Sequence, residues 1–197
     1  MNLSQAQAAD IPVIEQLLGE GVFRDIKPEE LPKDGDIIIA CADGDRIFDT
    51  LFHHRGLCEG GRPCHHLLSL NSGPLLLPVD SPTARYAEGV ILLEHALGGR
   101  KLKGVNTVHL YGHWPCGAAG LANLSLVECL TLLGSAKERL LDFFRSFDDP
   151  PKVIPLFHVH FVHSGEQMRS YYFDRHHFAK VMKVPAGRNW RSSRIAA

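Results

Sequence analysis

Two short apolar segments of this chain each run directly into residues that commonly bind metal ions. Residues 36–40 are followed by Cys41, and residues 107–111 are followed by His113 and Cys116. A continuous apolar run of this length is typical of a strand that is buried on both faces, as in a parallel sheet. Because such a sheet needs helices on both sides, the two segments favour an α/β architecture.

The pattern between these runs predicts helices. Ser81 and Ser125 stand where helices would be capped, and Asp10 with Pro12 is typical of an N-cap and a first helical turn. Helices are predicted at 10–19, 47–53, 82–97, 126–147 and 175–182, a loop at 55–63, and further strands at 66–70, 153–163 and 168–174. We therefore predict a single domain with a mostly parallel central sheet flanked by helices. It would span residues 1–197, with an N-terminal helix at 10–19, a metal-site core at about 36–165 and a basic tail at about 183–197.

Charge and hydropathy exclude several classes of function. The formal net charge of -1 offers no electrostatic basis for binding nucleic acid or an anionic membrane surface. No apolar run approaches the ~18 residues that span a bilayer, and the N-terminus lacks the pattern of a signal peptide. Five cysteines are an odd number in a chain too long to need a disulfide framework, which favours free thiols and the cytoplasm.

Cys41, His113 and Cys116 form a Cys2His set at the C-terminal ends of two predicted strands. Ligands of open α/β sheets bind beyond these strand ends. Three protein ligands of these types suit Zn²⁺ with one coordination position left open, as in a catalytic site. Asp43 is close enough in sequence to hold a hydroxide at that position, and Arg46 could fix its carboxylate by a bidentate pair.

Each of these residues also has an ordinary structural interpretation. The two cysteines could be core residues, and His113 a hydrogen-bonded loop residue. Asp43 could cap the helix that follows it, because an acidic residue is common at that position. Arg46 could be solvated in the first helical turn. The combination of ligand types at two strand ends favours the zinc site.

Cys41-x-Asp43 after a buried strand, and His113-x-x-Cys116-Gly after another, resemble the β-class carbonic anhydrases. The resemblance extends over roughly 37–121 and includes a polar Asn-Ser-Gly turn after the second strand. It implies the fold of that family and makes the two cysteines and the histidine zinc ligands. Asp43 would either orient the zinc-bound hydroxide or, in a closed state, take the fourth ligand position.

The activity implied by the resemblance is the reversible hydration of CO₂ to bicarbonate by a zinc hydroxide. The same zinc site could instead act on a related molecule such as COS or CS₂, or the chain could bind zinc without activity. The resemblance also implies a homodimer with its cleft across the subunit interface. Ile14, Leu17 and Leu18 of the N-terminal helix are candidates for packing on the partner.

The sequence departs from the family motif at the arginine. The family has Cys-x-Asp-x-Arg, whereas here Asp45 stands at the arginine position and Arg46 follows one residue later. Gly44 would let the backbone take an unusual turn that brings Arg46 back to Asp43. Without that turn Asp43 would lose its partner and would be free to bind the metal itself.

A second cluster consists of Cys58, Cys64, His65 and His66. Its spacing is not one of the standard zinc spacings, and adjacent histidines on a strand point to opposite faces of the sheet. A pair of loop thiols beside the start of a strand is the favoured interpretation. The cluster is therefore predicted to be dispensable for the zinc at Cys41.

Three residues elsewhere in the chain could also be read as ligands. Cys129 lies in an apolar stretch of the long helix and is predicted to belong to the core. His158 and His160 share one face of a predicted strand, where a packed or interfacial face is favoured over a metal site, with lining of a pocket as the alternative.

Overall fold

The computed structural model describes residues 5–58, 64–84, 87–160 and 168–184. Its centre is a six-stranded sheet. In chain order the strands are β1 (Phe23–Arg24), β2 (Gly35–Cys41), β3 (Cys64–Leu70), β4 (Thr107–Trp114), β5 (Lys152–His160) and β6 (Met168–Phe173). Across the sheet their order is β1-β6-β5-β4-β2-β3. Strands β3, β2, β4 and β5 pair in parallel with one another in that order. Strand β6 pairs antiparallel with β5, and β1 pairs antiparallel with β6.

Six α-helices within the described residues flank the sheet. They are α1 (Gln5–Gly19), α2 (Gly44–Leu57), α3 (Glu88–Lys103), α4 (Gly117–Leu121), α5 (Leu126–Phe144) and α6 (Arg175–Val181). The predicted α/β architecture with a mostly parallel sheet is confirmed. None of the helices in the described ranges is both long enough and apolar enough to cross a membrane.

Strand β2 shows why residues 37–40 are continuously apolar. Ile37 and Ile39 face the larger core, which contains α3 and α5, whereas Ile38 and Ala40 face a second, smaller core that contains residues of α2. All seven residues of the strand are buried. Helices on both faces leave no position of the strand for a solvated side chain.

The first helix differs from its prediction. It begins at Gln5 rather than at Asp10, so Asp10 is not its N-cap and Pro12 lies inside the helix. Ile14 and Leu17 are buried against the chain's own core. The sequence suggested that these two residues pack on a partner, but their burial within the chain makes them unavailable for that contact.

The third helix begins later and ends later than predicted. It begins at Glu88, runs through Gly98 and Gly99, and ends before Gly104, which has a φ of 66°. The helix continues past Gly99, and this glycine allows close packing of α3 against β3. A Cβ there would lie 2.7 Å from the ring of His66, so the missing side chain lets α3 approach β3.

Other boundaries shift by a few residues. Helix α2 spans 44–57 instead of 47–53, so part of the predicted loop 55–63 is helical. Helix α5 ends at Phe144, and Ser125 caps it as predicted, with its hydroxyl accepting from the Glu128 N–H at 3.3 Å. The end of the predicted strand beyond His160, its turn at 164–167 and most of the basic tail lie outside the described residues.

Candidate metal centre

The structure brings Cys41, His113 and Cys116 together. Their ligand atoms lie within 4.8 Å of one another, and all three residues are buried. Cys41 ends β2, and His113 lies near the end of the neighbouring parallel strand β4, which continues past the predicted residue 111 to Trp114. Cys116 is the N-cap residue of α4. The adjacency of β2 and β4 therefore produces the site.

The surroundings of Cys41 favour a thiolate. Its Sγ accepts the backbone N–H of Ser72 at 3.2 Å and also that of Asp43. A hydrogen bond from Cys116 further holds the pKa of Cys41 below its usual range, whereas the same bond and burial raise the pKa of Cys116. A thiolate beside a second sulfur suits a soft divalent cation.

His113 provides an independent test of whether a metal fits. The residue is buried, and neither ring nitrogen makes a well-aligned hydrogen bond within the described residues, although the ring lies close enough to Cys41 to help lower the pKa of that thiol. A buried polar group without a partner costs about 1–3 kcal/mol. A metal ion bound by one nitrogen would account for this cost, so the donor set of the site fits zinc.

The turn after β3 holds Cys41 in place. Ser72 and Gly73 both have positive φ, 74° and 51°. A Cβ on Gly73 would lie 2.4 Å from the carbonyl carbon of Ala40 and from the nitrogen of Cys41. Only glycine allows this turn to lie so close to the end of β2 and to direct the Ser72 N–H at the sulfur.

Asp43 and Arg46 are placed by the start of α2. The carbonyl of Asp43 accepts the N–H groups of Ile47 at 2.8 Å and Arg46 at 3.0 Å, so Asp43 occupies the N-cap position. Gly44 is the first helical residue and is not among the glycines with positive φ. The prediction of an unusual turn at Gly44 is therefore wrong. The helix itself brings the two residues to one side, since positions three apart are neighbours.

Arg46 is buried rather than solvated, which contradicts its ordinary interpretation. Asp43 is half-buried, and its carboxylate is not part of the group of ligand atoms within 4.8 Å of one another. Asp43 is thus only two residues from Cys41 in the sequence, but its carboxylate is not grouped with the three candidate ligands.

His158 is a further residue beside the centre. It is paired with His113 in the register of β4 and β5, and its Nδ1 lies 2.8 Å from the Ser170 hydroxyl. Burial, followed by the proximity of His113, lowers the pKa of His158 to about 3, so the ring is neutral near pH 7. The sequence favoured a packed or interfacial face for His158, with lining of a pocket as the alternative, and could not place it beside His113 because the pairing of β4 with β5 cannot be read from spacing.

The second cysteine–histidine cluster is divided by the sheet. His65 contacts Asp36 on the face that carries α2, whereas His66 packs against Gly99 of α3 on the other face. This confirms the predicted opposite orientations. Cys58 lies with His65 and His54 in a group whose ligand atoms are within 4.8 Å of one another, which the spacing did not suggest. Cys129 is fully buried, as predicted.

Comparison with known proteins finds a likeness among solved structures. No family model matches the chain, and no curated protein matches it. Among the solved structures, the crystal structure of a carbonic anhydrase from Streptococcus mutans is similar, with 14% sequence identity and a TM-score of 0.40. The match covers 86% of this chain and 99% of that chain. Because a TM-score at this level carries no argument, the function of this chain has to be inferred from its own residues.

Proposed function

We propose that the chain binds one zinc ion at Cys41, His113 and Cys116 and catalyses the reversible hydration of CO₂ to bicarbonate. The observation that carries the proposal is the buried convergence of these three residues at the ends of adjacent parallel strands. Three protein ligands leave one position open for water or substrate. A bound Zn²⁺ would lower the pKa of a coordinated water so that it can act as a nucleophile near neutral pH.

The chain's own residues would hold and orient the reactants. The backbone N–H groups of Ser72 and Asp43 keep the Cys41 thiolate in position. In the proposal, the half-buried carboxylate of Asp43 accepts a hydrogen bond from the reacting water, which aligns a water lone pair with CO₂. Arg46, buried in the first turn of α2, supplies positive charge on the same side of the helix.

Stopped-flow measurement of CO₂ hydration by the zinc-loaded chain tests this proposal. We expect catalysis between pH 7 and 9 that rises with pH, because the reacting water must ionise. Asp43→Ala should lower kcat/KM on the order of 10- to 100-fold, the usual effect of removing an outer-shell partner. Asp49→Ala removes an exposed carboxylate of the same helix and should leave the rate unchanged.

Two outcomes would contradict the proposal. If Asp43→Ala is as active as the unmodified chain, the role given to Asp43 is wrong. If the zinc-loaded chain shows no hydration at any pH in this range, the chain is better described as a zinc protein without hydratase activity. Such a result would point to the displaced arginine of the motif, Arg46, as the reason for the missing activity.

We also propose that the chain forms a homodimer through α2. Phe48 and Phe52 are 64% and 73% exposed and lie four residues apart on one side of this helix. The same helix begins next to Asp43, so a partner bound there would cover the side of the chain that carries the site. Large exposed apolar side chains that lie together mark interaction surfaces more often than isolated ones do.

Size-exclusion chromatography with light scattering checks the dimer. The unmodified chain should elute with the mass of two chains, and Phe48→Glu with Phe52→Glu should shift it to one, because two charges cannot be buried unpaired. Leu102→Glu changes an exposed apolar residue on α3 and should leave the mass unchanged. An unmodified chain that is monomeric at micromolar concentration would rule the dimer out.

The cytoplasm remains the proposed compartment. Cys41, Cys58, Cys116 and Cys129 are free thiols. Thiols that must stay reduced to bind a metal suit a reducing compartment. Localisation of a tagged chain by microscopy would test this assignment.

A further inference from the structure

A second group of side chains of metal-ligand types lies at the other end of the sheet. Asp36 is the second residue of β2, His109 lies in β4, and His54 lies in α2. The three residues are 0% exposed, and their ligand atoms lie within 4.8 Å of one another. Along β2, Asp36 is five residues before Cys41, a distance of about 16 Å in a strand. The group is therefore separate from the candidate zinc centre.

The carboxylate of Asp36 is the centre of this group. His54 Nε2 lies 2.7 Å and His109 Nδ1 2.8 Å from Oδ2, and His65 Nδ1 lies 2.7 Å from Oδ1. Burial by itself raises the pKa of Asp36, but the three imidazoles outweigh it and hold the pKa well below its usual range. The Asp36 carboxylate thus stays ionised in the interior of the protein, with ring nitrogens of three histidines around it.

Hydrogen bonds among these residues leave His109 incompletely satisfied. His109 Nδ1 faces Asp36 Oδ2 at 2.8 Å but is poorly aligned for a hydrogen bond, and His109 Nε2 has no partner among the described residues. His109 is thus a fully buried imidazole whose polar contact among the described residues is the Asp36 carboxylate. A buried ring nitrogen without a well-aligned partner costs about 1–3 kcal/mol, and a cation bound by that nitrogen would offset the cost.

Tyr111 gives His54 the orientation of a metal ligand. Its hydroxyl oxygen lies 2.8 Å from His54 Nδ1, on the side of the ring away from Asp36. Metal-binding histidines commonly donate their second ring N–H to such a partner, which fixes the tautomer and directs the other nitrogen at the ion. His54 Nε2 is therefore held facing Asp36.

We propose that Asp36, His54 and His109 bind a second divalent transition-metal ion. Imidazole and carboxylate ligands suit zinc and its first-row neighbours. His65 and Cys58, both half-buried, border the group on the side that leads to solvent. The ion would join β2 and β4 to α2, the helix whose N-cap residue is Asp43 and whose first turn contains Arg46. It is too far from Cys41 to form a two-metal catalytic pair, whose ions lie about 3.5–4 Å apart.

Metal analysis of the full chain, loaded with Zn²⁺ and freed of excess, tests this proposal. We expect two ions per chain in the unmodified protein and one in Asp36→Asn, which exchanges the charged ligand for an amide of the same shape. Cys116→Ser should also retain one ion, that of the second site. His66→Gln is the matched control, because His66 lies on the same strand as His65 but faces α3, and it should retain two.

Cobalt loading identifies the ligands that remain. Cys116→Ser loaded with Co²⁺ should show visible d–d bands of a nitrogen and oxygen site without an intense sulfur-to-cobalt charge-transfer band. An intense band of that kind would overturn the assignment to Asp36, His54 and His109. This measurement and the ion count of the unmodified chain do not require that Asp36→Asn folds.

The ion counts also separate this proposal from the proposed function. A single ion per chain that is lost in Cys116→Ser and kept in Asp36→Asn would overturn the second site and leave the first. A single ion that is lost in Asp36→Asn and kept in Cys116→Ser would support the second site and overturn the zinc site at Cys41. Loss of an ion from His66→Gln would overturn the ligand assignment, since that side chain does not face the group.

Discussion

Replacing Cys116 by serine is expected to remove the zinc bound at Cys41 and His113 and to abolish the hydration of CO₂. A serine hydroxyl does not ionise near neutral pH and is a poor ligand for a soft cation. Four-ligand zinc peptides bind with about 10–16 kcal/mol, so the loss of one ligand amounts to about 2.5–4 kcal/mol. This corresponds to a zinc affinity lowered on the order of 100- to 1000-fold.

The measurement is competition for zinc with a chromophoric chelator, together with stopped-flow hydration on the same samples. Cys129→Ala is a matched control, because Cys129 is a fully buried thiol of α5 that packs in the same core but is not one of the grouped ligands. The double variant Cys58→Ser and Cys64→Ser is a second control and should keep the zinc at Cys41. Undiminished zinc affinity in Cys116→Ser would disprove the ligand set.

Replacing Gly73 by alanine is expected to weaken both the fold and the metal centre. The new Cβ would lie 2.4 Å from backbone atoms of Ala40 and Cys41, which cannot move aside as a flexible side chain would. The left-handed φ adds about 1–2 kcal/mol of strain, and the overpacking about 1–3 kcal/mol more. We expect the free energy of unfolding to fall by about 2–5 kcal/mol. Zinc affinity should fall about 10- to 100-fold, since Ser72 would no longer donate to Cys41.

Gly104→Ala separates strain from collision. Gly104 also has a positive φ, 66°, but no atom lies within 4 Å of the position that its Cβ would take. This variant should therefore lose only about 1–2 kcal/mol of stability and should bind zinc normally. Urea unfolding and the zinc competition assay measure the two effects. Equal losses of zinc affinity in the two variants would show that the turn at Gly73 does not support Cys41.

Local sequence was sufficient for the strands that carry the candidate zinc ligands. The apolar run at 37–40 could be interpreted because a strand between two helical layers is buried on both faces and is therefore mostly apolar. Cys41, His113 and Cys116 could then be placed at one edge of the sheet, because parallel strands end at the same edge. The Ser125 cap was predictable for the same reason, since a cap depends on the next three residues alone.

Helix ends depended on packing and could not be derived from local pattern. Gly98 and Gly99 have the residue type that ends helices, yet α3 continues because Gly99 lies against the ring of His66. The position of Arg46 likewise follows from the start of α2 at Gly44, which a local motif with a shifted arginine did not reveal. In both places a contact with another element, or the extent of the helix itself, outweighed the preference of single residues.

What the sequence by itself determined is the set of groups that must be buried and the chemistry they bring to each strand end. Only the tertiary structure decided which of them meet. Asp36, His54 and His109 are far apart in sequence, and no spacing rule predicts that they meet. They come together because β2 lies beside β4 and α2 packs across that face of the sheet. The order of strands in a sheet is set by the packing of all its helices together, a non-local quantity that no short segment of the chain encodes.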